Sequence, residues 1–196
     1  MKPPDADPST HNLPRHPFAW LPPPTQLRVF VVALLLTLPL MGAIHVTNAP
    51  LENPAAPTGM ISFQLAGTLP RVQKILDSWD HGAQLSAALN LGIDYLYLVA
   101  YATAIGLGCV LLARHFASRL PLFALAGVGL SWGMLAALLL DAVENYALIR
   151  LLFGEQRELW PLIARWCAIP KFALVLAALA YLAGGGLLAL AIRPRA

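Results

Sequence analysis

Ionisable and amide side chains gather near the ends of four apolar stretches of this chain. The group comprises His45, Asp94, Asp141, Glu144, Asn145 and Lys171, with Arg165 just before Lys171. Such groups are costly inside a membrane, so they are candidates for function wherever they occur in spanning helices. If the helices alternate in direction, all of these residues fall on the same side of the bilayer. The sequence therefore predicts one polar, acidic mouth.

Rows of small residues indicate which helix faces carry the acids. In the third stretch Gly129, Gly133 and Ala137 recur every four residues, as they do where membrane helices pack together. The same row continues to Asp141 and Asn145. Glu144, three residues after Asp141, points to nearly the same side.

The second stretch shows a shorter row of the same kind. Ala102 and Gly106 are four residues apart, and two further steps of four toward the N-terminus reach Leu98 and Asp94. Tyr97 and Tyr101, at i+3 and i+7 from Asp94, share its side and could hydrogen-bond toward it. Both aspartates are therefore expected to face other helices.

Two interpretations of this cluster remain open. In the structural one, the acids pair with Lys171 or Arg165 and with tyrosine hydroxyls, which locks the outer end of a bundle. In the other, Asp94, Asp141 and Glu144 line a pocket that binds a cation, a proton or the polar head of a lipid-like molecule.

Two reactive chemistries would suit such a pocket. Acid/base catalysis on a lipid or isoprenoid substrate would use Asp94, the most deeply placed acid. Proton-linked transport is a second possibility. A hard-metal site of three acids with His45 is not predicted, because its ligands show no recognisable spacing; no cofactor is predicted either. The leading hypothesis is non-catalytic binding of a small or lipid-like ligand, or of a protein partner, and whether the protein is an enzyme stays open.

Composition restricts the class of protein. Hydrophobic residues make up 58% of the 196 residues and charged residues 12%, against about 25% charged in soluble domains. A soluble globular enzyme, a disordered chain and a disulfide scaffold are excluded. A net charge of +3, scattered along the chain, is too weak for nucleic-acid binding.

The sequence predicts an all-α integral membrane protein: a four-helix transmembrane bundle with an interfacial amphipathic helix in the first outer loop. The spans are expected at about 27–47, 90–113, 120–143 and 171–192, and the outer loops at about 48–89 and 144–170. Each uncharged core of about 19–21 residues is long enough to cross a ~30 Å hydrocarbon layer. A cleaved signal ending near Ala43 or Ala49 is an alternative for the first span, which its long polar leader disfavours.

Lys and Arg positions predict that both termini are cytoplasmic. With this orientation seven of these residues lie inside and six outside, and the short basic loop 114–119 is cytoplasmic. The outline, four spans with an outer loop after the first, is similar to that of several small bacterial membrane families, the DoxX-like ones among them; the likeness is architectural and covers no motif. We expect a multi-pass protein of a bacterial inner membrane, which could form a homo-oligomer.

Two segments outside the spans have patterns of their own. Val72, Ile75, Leu76 and Trp79 form one apolar stripe at helical spacing. This stripe predicts a helix on the membrane surface with Trp79 at headgroup level, or a lid over the mouth. Residues 1–26 are rich in proline and are expected to form a disordered cytoplasmic tail.

Overall fold

The protein is all-α, as predicted, in a computed structural model that describes residues 13–191. The prediction for residues 1–12 therefore lies outside the described residues, as does the end of the fourth span at residue 192. The helices are α1 (Pro23–Asn48), α2 (Met60–Gln64), α3 (Leu69–Asp77), α4 (His81–Phe116), α5 (Pro121–Leu152) and α6 (Leu159–Ala191). A short 3-10 turn, Ala49–Leu51, follows α1.

Four of these helices, α1, α4, α5 and α6, are long and apolar enough to cross a membrane. Each expected span lies inside one of them to within one residue, which confirms a multi-pass membrane protein. Both α1 and α6 run without interruption through an internal proline, Pro39 and Pro170 respectively. Helix α5 ends before Gly154, whose φ of 86° only glycine adopts readily.

Helix α4 lies at the centre of the bundle. It packs extensively against α1 and α5 and to a smaller extent against α6, while α5 also packs along α6. The approach of α5 to α6 depends on Gly127, because a Cβ atom there would collide with the Tyr181 hydroxyl group. Helix α1 buries only Gln26 and Ala33, so it rests on α4 along one edge.

Residues 49–80, which we name the cap, cover one end of the bundle. Phe63 and Trp79 meet edge to face with their ring centroids 5.4 Å apart, and Trp79 Nε1 donates to the Leu51 carbonyl over 2.9 Å. Val72 and Ile75 of α3 are buried in the same core, which continues onto the ends of α4, α5 and α6. The amphipathic helix exists, but its apolar face packs on protein; Trp79 is buried and is not a lipid-facing anchor.

Residues 13–22 lie against the other end of the bundle. Trp132 Nε1 donates to the Arg15 carbonyl over 3.0 Å, and the ring of Phe18 lies against Gly106. The side chain of His16 is buried beside Arg114; burial, and then the Arg114 charge, lower the pKa of the imidazole, so it stays neutral. This segment differs from the expected free tail because Phe18 packs against α4 and the Arg15 carbonyl accepts a hydrogen bond from Trp132.

The described helices place residues 117–120 and the cap at opposite ends of the bundle, which makes the predicted orientation testable. In a Cys167→Ser background, Ser118→Cys is expected to react with a membrane-impermeant thiol reagent only after the cells are permeabilised. Gln156→Cys, in the link between α5 and α6, is expected to react in intact cells. Both positions are exposed, and Cys109 is fully buried. The reverse labelling pattern would show that both termini lie outside.

Candidate functional site

Lys171 binds two acids inside the bundle. Its Nζ atom lies 2.8 Å from Asp141 Oδ1 and 2.8 Å from Glu144 Oε2. All three residues are buried, with exposed fractions of 5%, 3% and 0%. Tyr101 completes the group, because its hydroxyl donates to Asp141 Oδ2 over 2.8 Å. These contacts tie α4, α5 and α6 together.

Asp94 lies next to this group but has a different partner. Asn145 Nδ2 donates to Asp94 Oδ2 over 2.6 Å. Asp94 is only half-buried, unlike Asp141 and Glu144. The cluster therefore contains three carboxyl groups and one cation, and one of the acids remains accessible.

The accessible side of the cluster faces a cavity of about 560 Å³ between α1, α4 and α6. This volume is within the range of about 300–1,000 Å³ that is typical of small-molecule sites. Its polar wall is formed by Asp94, Tyr97, Tyr101, Asp141, Asn145 and Lys171. The polar groups thus lie together at one part of an otherwise apolar space.

The remainder of the cavity is a long apolar cleft. Its walls include Leu34 and Met41 of α1, Ile105 of α4, and Val175 and Leu179 of α6. From Asp94 to Ile105 the cleft follows α4 for about 16 Å at 1.5 Å per residue. Leu34, Met41 and Leu179 are 42%, 50% and 45% exposed, so the cleft is open along the side where α1 and α6 face the bilayer.

The cap forms the roof of the cavity at its polar end. Asn48, the last residue of α1, accepts a hydrogen bond from the Met60 amide over 2.8 Å and so holds α2 over the opening. Asn90 of α4 donates to the Ile44 carbonyl over 3.0 Å and to Thr47 Oγ1 over 2.7 Å, which fixes the end of α1. The roof is thus joined to the bundle by specific hydrogen bonds.

Most of the candidate site residues lie on this one cavity. His45, Asp94, Tyr97, Tyr101, Asp141, Asn145 and Lys171 all line it. Glu144 lies behind Lys171 and is fully buried. His45 is an exposed residue of the rim, and no hydrogen bond within residues 13–191 joins it to the acids.

The other predicted cation partner lies elsewhere. The Arg165 side chain lies against Gly67 of the cap, so Lys171 is the residue that neutralises the acids. Among the small residues of α5, Gly133 meets Leu174 of α6 and Ala137 is buried, whereas a Cβ atom at Gly129 would meet no described neighbour within 4 Å. The row therefore faces α6 only over its second half.

Sequence reasoning missed four polar residues of the cavity: Thr37, Asn48, Gln64 and Asn90. Asn90 had a usable signal, because it lies one helical turn before Asp94 and therefore on the same face. Gln64 had none, because its position depends on how α2 folds over the bundle.

The carboxyl groups do not form a metal centre in the described part of the chain, where no group of three or more His, Cys, Asp or Glu side chains could hold an ion. Comparisons with protein-family models, with curated proteins and with solved structures found no match. The chemistry of the cavity is therefore argued from its own residues.

Lys171 is expected to be the residue whose loss most destabilises the bundle. Lys171→Met leaves two buried carboxylates without their cation, and we expect it to cost about 3–5 kcal/mol of the free energy of unfolding. Arg150→Met breaks a partly exposed pair with Glu155 and should cost about 1 kcal/mol or less. Detergent-induced unfolding of the purified proteins compares the two.

Adding Glu144→Gln to Lys171→Met should recover part of the loss, because it removes one uncompensated charge. Equal losses for Lys171→Met and Arg150→Met would contradict a structural role for the buried pairs.

Proposed function

We propose that this protein binds a lipid-like amphiphile, without catalysis, in the cavity between α1, α4 and α6. The observation that carries this proposal is the division of the cavity into a polar wall around Asp94 and Asn145 and an apolar cleft beyond it. An amphiphilic molecule has the same two parts, and burial of its chain would supply affinity at about 25 cal/mol per Å² of apolar surface.

Access to the cavity supports a ligand that arrives from the membrane. The half-exposed positions of Leu34, Met41 and Leu179 leave the cleft open between the apolar helices α1 and α6. The cap covers the other route, because Asn48 holds α2 above the polar end. A chain could enter sideways while its head reaches the acids.

The polar wall supports binding rather than proton transfer. Lys171 pairs with Asp141 and Glu144, and the Tyr101 hydroxyl donates a hydrogen bond to the second oxygen of Asp141. These groups are held by their partners and have little freedom to exchange protons with a ligand. In our proposal they position Asp94, which contacts the head of the ligand.

We further propose that the capped end lies outside the cytoplasm and that the membrane is a bacterial inner membrane. The short basic turn at residues 114–119 supports this orientation, because Lys and Arg are enriched in cytoplasmic loops. The polar end of the cavity would then belong to the outer leaflet.

One observation favours an enzyme as the second candidate. Asp94 and Asp141 both line the cavity, and paired carboxyl groups of unequal environment can act as acid and base on a lipid or isoprenoid substrate. Transport is less favoured, because the long helices α1, α4, α5 and α6 are continuous where many transporters have broken helices.

Filling the apolar cleft is expected to abolish binding. Val175→Trp should lower the amount of lipid that stays with the purified protein by about tenfold or more, since the added ring occupies the space of the chain. Leu176→Trp, at a neighbouring position that is 66% exposed and faces away from the cavity, should leave it unchanged. Native mass spectrometry of protein released from nanodiscs measures the bound lipid. Equal retention by the two variants would exclude the cleft as the binding site.

Asp94→Asn separates binding from catalysis. If the protein is a binder, lipid extracts from cells with wild-type protein, with Asp94→Asn and with no protein should contain the same lipid species. If it is an enzyme, one lipid should accumulate equally in the deletion strain and the Asp94→Asn strain, because a carboxamide cannot transfer the proton. Membrane levels of the variant, measured in parallel, show whether it folds.

A further inference from the structure

The polar wall of the cavity presents hydrogen-bond acceptors that the protein itself does not satisfy. Asn145 is fully buried and its Oδ1 atom has no hydrogen-bond donor among the described residues. Its orientation is fixed, because its Nδ2 group is the one that donates to Asp94. Leaving such an acceptor unpaired costs about 1–3 kcal/mol, so this side of the cavity wall is short of hydrogen-bond donors.

Other acceptors line the same space. Asp94 Oδ2 accepts the hydrogen bond from Asn145, and within residues 13–191 no donor is hydrogen-bonded to Asp94 Oδ1. Gln64 of the roof is 8% exposed, and its Oε1 atom is also without a donor in this part of the chain. The unsatisfied groups of the wall are therefore oxygen acceptors on α2, α4 and α5.

The charge of the wall also favours a cationic head group. Lys171 is the cation of the cluster, and its contacts go to Asp141 and Glu144. Asp94 is left without a cation. A phosphate or carboxylate head would add negative charge beside it, which a low-dielectric site penalises.

We infer that the head of the bound amphiphile is a primary ammonium group that donates to Asp94 Oδ1. This inference rests on the proposed function. A primary ammonium carries three N–H donors and one positive charge, so it can donate to the open oxygen of Asp94 and balance the third carboxylate at the same time. A hydroxyl has one donor and no charge, and a trimethylammonium has the charge but no donor. The group could belong to an ethanolamine phospholipid or to a free long-chain amine.

Four probes with the same dodecyl chain test the head group: dodecylammonium, dodecyltrimethylammonium, dodecanol and dodecanoate. Their binding to the full-length protein in detergent at neutral pH is measured by native mass spectrometry. We expect dodecylammonium to bind about tenfold or more tightly than dodecanol, since hydrogen bonds to charged groups are the stronger ones. Dodecanoate should bind most weakly. This comparison uses the unsubstituted protein, so it does not depend on the folding of a variant.

Asp94→Asn should reduce the advantage of dodecylammonium over dodecanol to less than about threefold. Asp77→Asn is the matched control, because Asp77 is exposed on α3 and away from the cavity; it should leave the advantage intact. Equal binding of dodecylammonium and dodecyltrimethylammonium would overturn the donation of N–H groups to the wall. Tightest binding of dodecanol or dodecanoate, or equal binding of all four probes, would overturn the ammonium head but leave the amphiphile site.

Binding of none of the probes would instead count against the proposed function itself.

An experiment in nanodiscs distinguishes an ethanolamine phospholipid from a free long-chain amine as the source of the ammonium group. Retention of phosphatidylethanolamine by the wild type, but not by Asp94→Asn, from a mixture with phosphatidylglycerol identifies a membrane lipid. Binding of dodecylammonium without such retention identifies a free amine.

Discussion

The contacts of one buried ammonium group organise the polar interior of this protein. Lys171 reaches Asp141 and Glu144 at 2.8 Å each, in a region where an unpaired charge would be prohibitively costly. Because the three residues come from α5 and α6, the pairing fixes the rotation of both helices. Tyr101 adds α4 by donating to Asp141. The position of Asp94 at the cavity wall follows from this arrangement.

The cavity arises from uneven packing around α4. Helices α5 and α6 pack closely against each other, with Gly127 allowing the Tyr181 hydroxyl to approach. Helix α1 rests on α4 along one edge and leaves a cleft toward α6. The cap then closes the polar end through Asn48. A rigid cluster and a helix that packs on α4 along one edge only together produce a space that is polar at one end and open along its side.

The position of the cluster could largely be derived from the residue order, whereas its internal pairing could not. Helix periodicity carries Gly133 and Ala137 forward to Asp141, and alternation of the spans brings Asp94 to the same end. The choice of Lys171 over Arg165 as the cation depends on a difference of six residues on one helix. Only the folded cap, where Gly67 receives the Arg165 side chain, decides it.

By itself the sequence determined the membrane class, the four long helices and the gathering of ionisable groups at one end. Hydrocarbon thickness and the cost of a buried charge act on local stretches of residues, so they can be seen in residue order. The tertiary structure alone decided that Glu144 lies behind Lys171, that Trp79 is buried in the cap, and that Gln64 covers the cavity. These outcomes depend on contacts between segments far apart in the chain, whose distances and rotations no local pattern encodes.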